Sequence, residues 1–405
     1  MDEMPPVEND PGSHDEVVAR LATLLSEADP GGDPVEFLGR RFDLGLAWVH
    51  LPRGLGGLGA DRTLQRVVDQ RLQEAGAPDP AMCNVVGHGM AAPTLAAYAD
   101  PDRQRRHLRP LFTGQEIWCQ LFSEPGAGSD LAGLATRAVA DGDDWVLNGQ
   151  KVWTSYAHRA RWGLLLARTD PALPKHRGLT YFVLDMAAPG VDVRPLVQLT
   201  GEAEFNEVYL TDVRVPDRDR LGEVNGGWRV ALTTLMNERV AIGAQLQPRN
   251  GGAIAGALDA WTVATERSDA QRDRLVALWI EAEALRLMNA RSQQRAATGT
   301  PGPEGSVGKL FAAEHNQRVT EFALELLGPA GALQPGGYPV ARTSSAHTPA
   351  PAEPSVQKAF LRARANSIEG GTSEVLRNVL AERVLGLPAD LRVDRDVAWS
   401  AVRRS

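Results

Sequence analysis

The chain contains 405 residues, of which 43% are hydrophobic and 23% are charged, and its formal net charge is −8. This composition is ordinary for a globular protein of two or three structural units, and the acidic balance without Lys/Arg clusters argues against nucleic-acid binding. Its apolar runs are shorter than the roughly 20 residues of a membrane-spanning helix, and the acidic start at 1–11 lacks the pattern of a signal peptide. Two cysteines are too few for a disulfide framework, which indicates a cytoplasmic protein. From the charge and the short apolar runs, we expect that it binds neither nucleic acid nor membrane.

The first part of the chain is predicted to be mostly helical. Apolar residues recur at helical spacing in 15–27, and further helices are predicted at 62–75 and 101–111. The stretch GLGGLGA at 54–60 contains a GxGxxG match. It lacks the second strand and the acidic residue that a dinucleotide-binding fold places after such a loop. We therefore interpret 1–117 as a helical domain without a dinucleotide site.

Short predicted strands follow, from about residue 116 to residue 221. Six runs are rich in β-branched, aromatic and aliphatic residues, and turn signals separate them at 141–142, 148–149 and 189–190. Strands of this number and spacing predict a small β-barrel or sandwich domain at 118–221. The predicted strands are 135–140, 145–147, 162–168, 179–184, 191–197 and 207–210.

Helical periodicity returns after Gly227. Long helices are predicted at 275–297 and 309–327, and a shorter one at 375–384. Helices of this length, side by side, predict a bundle over 222–405. The predicted fold class is therefore α+β, with an N-terminal helical domain, a middle β domain and a C-terminal helical bundle. Two interruptions of the bundle are predicted to be loops, at 298–305 and 333–355.

A glycine-rich stretch at 120–132 has the residue types of a ligand-binding loop. Gly126 and Gly128 permit positive φ and a close approach of the backbone to a ligand. Ser129 and the neighbouring N–H groups can meet the polar atoms of a phosphate or a flavin. A plain glycine-rich loop that joins two domains explains the residues equally well.

A second stretch, at 148–155, is predicted to be a turn followed by a strand. Strand alternation would place Trp153 and Ser155 on one face, where an indole and a hydroxyl suit a flavin ring by stacking and by a hydrogen bond. A core tryptophan with a serine at the strand end is about as good an explanation of this stretch alone. Elsewhere the eight histidines have no metal-ligand spacing and no GxSxG is present, so we predict neither a metal site nor a hydrolase.

Taken together, these two stretches resemble the acyl-CoA dehydrogenase family. EPGAGSD at 124–130 with GQKVWTS at 149–155 is a specific signature. Gly-Gly-Trp at 226–228 leading to Asn-Glu-Arg at 237–239, and the motif at 368–374, are similar to the same family. The resemblance covers nearly the whole chain. It implies a helical domain, a β domain and a four-helix bundle, assembled as a dimer or tetramer.

The resemblance also implies a FAD-dependent enzyme of lipid metabolism. Such an enzyme removes an α-proton from an acyl-CoA thioester while a β-hydride passes to the flavin, and it passes the electrons to an electron-transfer flavoprotein. The positions that match FAD-binding groups of the family are Phe122, Ser123, Gly128, Ser129, Trp153, Ser155, Thr372 and Glu374. Those that match substrate-binding groups are Ser129, Arg239 and Gly370.

Two carboxylates are candidates for the catalytic base, which must lie near the α-carbon in a dry site. In medium-chain members the base directly precedes Gly-Thr in the C-terminal motif; that position is Gly370 here, and Glu369 lies one place earlier. In isovaleryl-CoA and long-chain members the base belongs to a Glu-Arg pair on the first bundle helix, which matches Glu238 and Arg239. We expect Glu238 to be the base and name Glu369 as the second choice; the alternative for Glu238 is a surface residue paired with an arginine.

The chain departs from the family at two positions of the partner-subunit contact. Many members carry Arg and Phe before a long bundle helix, where this chain has Arg267 and no Phe. Many carry Gln before a Gly-Gly pair, where this chain has Glu325, whose charge would repel a diphosphate. Two other hypotheses follow: an architectural partner subunit of a heteromeric acyl-CoA dehydrogenase, and a flavin oxidase or monooxygenase on the same fold. The acyl group is not readable from the sequence.

Overall fold

The structure is a computed structural model, and it describes residues 12–243, 247–297, 304–333, 355–391 and 393–402. The chain divides into two compact units: the first contains the residues up to Cys119 together with Arg159–Trp162, and the second contains Gln120–His158 and most residues from Gly163 onward. The acidic start and nearly all of the two predicted loops in the bundle lie outside the described residues. In the described ranges, no helix is long and apolar enough to cross a membrane.

Helices make up most of the first unit, as predicted. Several begin at a polar cap, because the side chains of Ser13, Asp33, Asp79 and Asp100 each accept a hydrogen bond from a backbone N–H of the first turn. The sixth helix ends at Gly114, whose φ of 75° is left-handed. The α-helices are α1 (His14–Glu27), α2 (Pro34–Asp43), α3 (Gln65–Glu74), α4 (Pro80–Cys83), α5 (Ala92–Tyr98) and α6 (Pro101–Thr113).

The GLGGLGA stretch is a set of tight turns in this unit. A Cβ atom on Gly57 would lie 2.1 Å from the carbonyl oxygen of Leu51 and 2.5 Å from that of Trp48. Residues 46–51 form turns rather than a strand. Position 57 is therefore glycine because two backbone segments pass too close together there to leave room for a side chain.

Nearly all residues of a mixed β-sheet lie in the first part of the second unit. Its strands run in the order β6-β7-β3-β2-β4-β5-β8, with β1 paired to β4; β2 and β4 are parallel, and β3 and β7 are antiparallel. Nearly every residue of β4 and β5 is buried, as expected for strands covered on both faces. The strands are β1 (Trp118–Leu121), β2 (Arg137–Asp141), β3 (Asp144–Lys151), β4 (Trp162–Arg168), β5 (Leu179–Asp185), β6 (Val191–Leu196), β7 (Phe205–Pro216) and β8 (Arg220–Leu221).

One predicted turn of this sheet is wrong. Asn148 and Gly149 lie inside β3, where the pairing with β7 shifts register between Leu147 and Gly149. A Cβ atom on Gly149 would lie 2.3 Å from Oγ1 of Thr136. The Asn-Gly pair therefore marks a β-bulge and a close approach of two strands, which local sequence does not distinguish from a hairpin turn.

Helices form the rest of the second unit, which confirms the predicted α+β fold class. The described core of the bundle packs Val319 and Phe322 of the fourth of these helices against Ile254, Ala257 and Leu278 of its neighbours. The helices are α7 (Gly227–Gly243), α8 (Ala253–Val263), α9 (Asp269–Ala297), α10 (Glu304–Leu326), α11 (Val356–Ala363) and α12 (Ser373–Arg383). The domain boundaries after residues 117 and 221 stay predictions.

Candidate active site

A buried ion pair links the two signature stretches. The ammonium group of Lys151, at the end of β3, is fully buried and lies 2.8 Å from Oε1 of Glu124 in the glycine-rich loop. The same nitrogen donates hydrogen bonds to two carbonyl oxygens, those of Phe122 (3.0 Å) and Leu166 (2.9 Å). One side chain therefore ties the start of the loop to β3 and β4.

Glu124 completes this network from the loop side. Its carboxylate accepts hydrogen bonds from the backbone N–H groups of Ala135 (2.6 Å) and Thr136 (2.9 Å). Burial by itself raises the pKa of Glu124, but the charge of Lys151 and these hydrogen bonds lower the pKa below its usual value. Both ends of the loop are thus anchored by one ionised carboxylate.

The tip of the loop is open. Gly126, Gly128 and Ser129 are exposed, and a Cβ atom on either glycine would meet no other atom within 4 Å. The contacts of the chain with itself do not require glycine at these two positions. Because glycine has no side chain, a ligand can approach the backbone closely at this exposed loop tip.

Phe122 and Ser123 lie where the loop begins. The ring of Phe122 is buried and meets the ring of Tyr181 edge to face, with centroids 5.7 Å apart. The carbonyl oxygen of Ser123 accepts a hydrogen bond of 2.9 Å from the N–H of Val152. Phe122 therefore packs in the core, and Ser123 joins the loop to the second signature stretch.

Trp153 lies on a turn after β3, so the prediction that it shares a strand face with Ser155 is wrong. The strand ends at Lys151, and Trp153 has a φ of 60°, which breaks the alternation of side chains. The Trp153 side chain is 57% exposed, with its ring edge-on to Phe205 at a centroid distance of 6.0 Å, while Ser155 is half-buried. A bulky residue at positive φ costs about 1–3 kcal/mol and is typical of functional sites.

The C-terminal motif forms a second glycine-containing turn, and its backbone at 370–372 is half-buried. Gly370 and Gly371 have φ of 61° and 95°, and Thr372 caps α12 by accepting a hydrogen bond of 3.1 Å from the N–H of Val375. The N–H groups of Gly370, Gly371 and Thr372 have no acceptor among the described residues. With exposed Glu374 in the first turn, this is the N-terminus of a helix, where free N–H groups and the helix dipole favour an anion.

Glu369 is held by its neighbours. The guanidinium of Arg362 forms two hydrogen bonds with the carboxylate, at 3.1 and 2.9 Å, and Nδ2 of Asn366 adds a third at 2.8 Å. Burial lowers the pKa of Arg362, but the hydrogen bonds and charge of Glu369, together with the charges of Glu204 and Tyr156, raise it above its usual value. Both carboxylate oxygens are therefore committed to a planar, two-pronged ion pair.

Glu238 lies half-buried on α7. Its Oε2 is 3.5 Å from Nε2 of Gln120. Thr234, one turn earlier, hydrogen-bonds at 2.9 Å to the hydroxyl of Tyr181, whose pKa is raised by burial and further by the charge of Glu238. The backbone of Arg239 belongs to α7, but its side chain lies outside the described part of the chain. Glu238 thus lies beside the amide of Gln120 and close enough to the Tyr181 hydroxyl for its charge to affect that group.

The two departures from the family pattern have partners within the chain. The guanidinium of Arg267 donates to the carbonyl oxygens of Thr262 (2.6 Å) and Ala264 (3.2 Å). Glu325 forms an ion pair of 2.5 Å with Arg274. The negative charge of Glu325 is therefore partly compensated locally.

Three charged residues of this region were missed as site residues from sequence: Lys151, Lys309 and Arg362. Two of them are Lys, of which the chain has only four. Lys151 donates to a carbonyl of the glycine-rich stretch, and Lys309 donates to a carbonyl of the C-terminal motif. The sequence did offer one signal for these two residues, since each is a lysine within an otherwise apolar or glycine-rich stretch. Within the described residues, no cluster of His, Cys, Asp and Glu could hold a metal ion.

Comparison with known proteins decides the family. Residues 119–213 match the model of the acyl-CoA dehydrogenase middle domain, and residues 225–385 match that of the acyl-CoA dehydrogenase C-terminal domain. The chain is also 36% identical over 386 residues to acyl-CoA dehydrogenase IpdE1 of Mycobacterium tuberculosis, across 93% of this chain and 96% of IpdE1. The chain belongs to the acyl-CoA dehydrogenase family. The predicted family and enzyme class are thereby confirmed, and the family is one of flavoprotein oxidoreductases.

Two further similarities bear on this acyl-CoA dehydrogenase. It is 41% identical over 350 residues to acyl-CoA dehydrogenase FadE34 of Mycobacterium tuberculosis, across 85% of this chain but only 45% of FadE34. The chain thus spans less than half the length of that relative. Its fold is similar to the solved structure of the Tcur3481-Tcur3483 steroid ACAD, with a TM-score of 0.71, 27% identity and coverage of 93% of this chain and 97% of the other.

Proposed function

We propose that this acyl-CoA dehydrogenase uses FAD to introduce a double bond between the α- and β-carbons of an acyl-CoA thioester, with Glu238 as the base. An electron-transfer flavoprotein is the proposed electron acceptor. The observation that carries the choice of base is the state of Glu369, whose two carboxylate oxygens are held by Arg362 and Asn366. Taking up a proton there would break an ion pair that is partly shielded from solvent.

The described residues fit FAD. An exposed indole at Trp153 suits stacking on an isoalloxazine ring. The N–H groups of Gly371 and Thr372, which have no acceptor among the described residues, suit a diphosphate at the start of α12. Ser129, on the open tip of the glycine-rich loop, adds a hydroxyl. When bound, FAD supplies the acceptor for the β-hydride.

The chain itself supplies two further functions in this proposal. Glu238 takes the α-proton on a carboxylate oxygen, from a helix position that is half-buried and flanked by buried Thr234. The N–H of Gly370 donates to the thioester oxygen, where negative charge develops as the proton leaves. Gly370 suits this function because its N–H has no acceptor among the described residues.

Two matched variants test the base. Glu238→Gln keeps the size and hydrogen-bonding atoms of the side chain but cannot take a proton, so turnover should fall about 10²-fold or more with flavin content unchanged. Glu369→Gln should cost much less. The measurement is the rate of flavin bleaching by acyl-CoA in a stopped-flow instrument. A Glu238→Gln protein that bleaches at the wild-type rate, beside a Glu369→Gln protein that does not, would move the base to the C-terminal motif.

For the acyl group, we propose a steroid-derived thioester. The similarity to the Tcur3481-Tcur3483 steroid ACAD supports this choice over a straight chain. A panel of straight-chain, branched-chain and steroid side-chain acyl-CoAs, each tested for flavin bleaching, decides it. Fastest bleaching by a straight-chain thioester would contradict the steroid proposal and leave the reaction type intact.

A second candidate function is the architectural subunit of a heteromeric dehydrogenase. Glu325, in place of the family's glutamine, favours it, and so does the similarity to the Tcur3481-Tcur3483 steroid ACAD, whose name joins two proteins. Size-exclusion chromatography and absorbance of the chain produced alone separate the two functions. A yellow homo-oligomer that releases FAD on denaturation supports the enzyme, whereas a colourless, aggregating chain that gains flavin only with a partner supports the architectural role.

A further inference from the structure

Lys309 on α10 connects the bundle to the C-terminal motif. Its ammonium group donates hydrogen bonds to the carbonyl oxygens of Asn366 (2.9 Å) and Gly371 (2.5 Å). Those two carbonyls bracket Glu369 and Gly370. One side chain therefore bonds to both ends of the segment that carries the Gly370 N–H, which has no acceptor among the described residues.

The position of Lys309 is an unusual one for a lysine. The residue is only 3% exposed, and within the described ranges no carboxylate lies within 4.0 Å of its nitrogen. Burial lowers the pKa of Lys309, while the charges of Glu369 and Glu238 raise it. A buried ammonium whose hydrogen bonds go to carbonyl oxygens, with no carboxylate in direct contact among the described residues, is costly, and a neutral residue could fill the same space.

Other residues of α10 hold only the near end of this segment. Nδ2 of Asn316 donates to the side-chain oxygen of Asn366 at 2.6 Å, and Nε2 of Gln317 donates to Oγ of Ser367 at 3.0 Å. Of the described residues on α10, Lys309 alone has a hydrogen bond to Gly371. Lys309 is thus the α10 side chain that bonds directly to the far end, where two glycines have positive φ, whereas Glu314 of α10 pairs with Arg377 further along α12.

Glycine gives this turn its shape but no rigidity of its own. Gly370 and Gly371 lose more conformational freedom on ordering than any other residue type would. An oxyanion donor works only if it is already in place when charge develops. A turn of this kind must be held in place by a side chain from outside it. The Lys309 ammonium does so by hydrogen bonds to the carbonyl oxygens of Asn366 and Gly371.

We propose that Lys309 is a positioning residue of the active site, which clamps the carbonyls of Asn366 and Gly371 and so holds the Gly370 N–H for the thioester oxygen. The inference rests on the proposed function of Gly370. Lys309 does not touch the substrate in this scheme. Its effect is on turnover, through the placement of another group.

Three variants test the clamp. Lys309→Met removes the donors and the charge at similar length, and Lys309→Arg keeps the charge with several donors that can reach two carbonyls. Lys358→Met is the matched control, because Lys358 is also partly buried but pairs with Glu202 instead of the motif. If Lys309→Met does not fold, Lys309→Gln replaces it, since its amide keeps two N–H donors without charge.

The first measurement is hydrogen exchange of the peptide that covers 364–376, which needs no activity. Exchange should rise about tenfold in Lys309→Met, stay near wild type in Lys309→Arg, and be unchanged in Lys358→Met. The second is the split between kcat and KM with the acyl-CoA of the panel that bleaches the wild type fastest. In Lys309→Met, kcat should fall by about 10²-fold, the scale of one lost oxyanion donor, while KM changes less than about threefold.

Unchanged exchange in Lys309→Met would overturn the clamp, as would a kcat within about twofold of wild type. An Lys309→Arg protein as impaired as Lys309→Met would overturn the clamp too. If exchange rises in Lys309→Met but no acyl-CoA bleaches the wild-type flavin, the clamp stands and the proposed function fails. These outcomes keep the two proposals apart.

Discussion

Replacement of Lys151 by Met directly tests the buried ion pair that links the two signature stretches. The side chain is fully buried, and its ammonium makes three contacts, with Glu124 and with the carbonyls of Phe122 and Leu166. Met has a similar length and no charge. The variant therefore leaves the Glu124 carboxylate in the interior without its cation.

The expected magnitude follows from these contacts. Removal of one partner of a buried ion pair costs about 3–5 kcal/mol, because the other charge stays desolvated. The N–H groups of Ala135 and Thr136 still donate to Glu124 and keep the loss toward the lower end. A domain with roughly 5–15 kcal/mol of total stability loses a large part of it. A second change, Glu124→Gln in the same chain, should recover part of the loss, since it removes the unpaired charge.

Urea unfolding of the flavin-free protein, followed by circular dichroism, measures the effect. The control is Arg214→Met, which breaks an exposed pair of the same sheet with Asp141 and Asp144 and should cost at most about 1 kcal/mol. If Lys151→Met loses no more stability than Arg214→Met, or if Glu124→Gln worsens it, then the pair does not anchor the loop. Flavin content of the variant, measured below its unfolding transition, reports whether the loop also shapes the cofactor site.

Two further predictions concern an exposed and a buried ring. Trp153→Ala should lower flavin occupancy, because it removes about 1 kcal/mol of stacking free energy beyond area burial. The stability of the apo-protein should change little, since the indole is 57% exposed. Equal flavin affinity in Trp153→Phe and Trp153→Ala would contradict this prediction. Burial, aided by the charge of Arg106, lowers the pKa of His107 to about 4, so the folded state keeps it neutral while the unfolded state takes up a proton below its value of about 6.5. The free energy of unfolding should therefore fall as pH drops from 6.5 toward 4, by up to about 1.4 kcal/mol per pH unit. In His107→Phe, the thermal midpoint should depend less steeply on pH than in the wild type. An equally steep dependence would refute the prediction.

The order of elements was predictable because local patterns determine it. Apolar spacing located α1, α6 and α9, and runs of β-branched and aromatic residues located β4 and β5 nearly residue by residue. The signature stretches were readable for a similar reason, since each is contiguous in the chain. Local reasoning failed at 148–155, because a bulge and a positive φ at Trp153 depend on neighbours far away in sequence.

By itself, the sequence determined the α+β class, the acyl-CoA dehydrogenase family and the identity of two candidate bases. The tertiary structure alone decided what surrounds them. Glu369 is held by Arg362 seven residues away, whereas Lys309 reaches Gly371 across 62 residues and Lys151 reaches Glu124 across 27. Charges buried in such pairs are stabilised by partners that folding brings within 3 Å, and no periodicity along the chain encodes which partner that is.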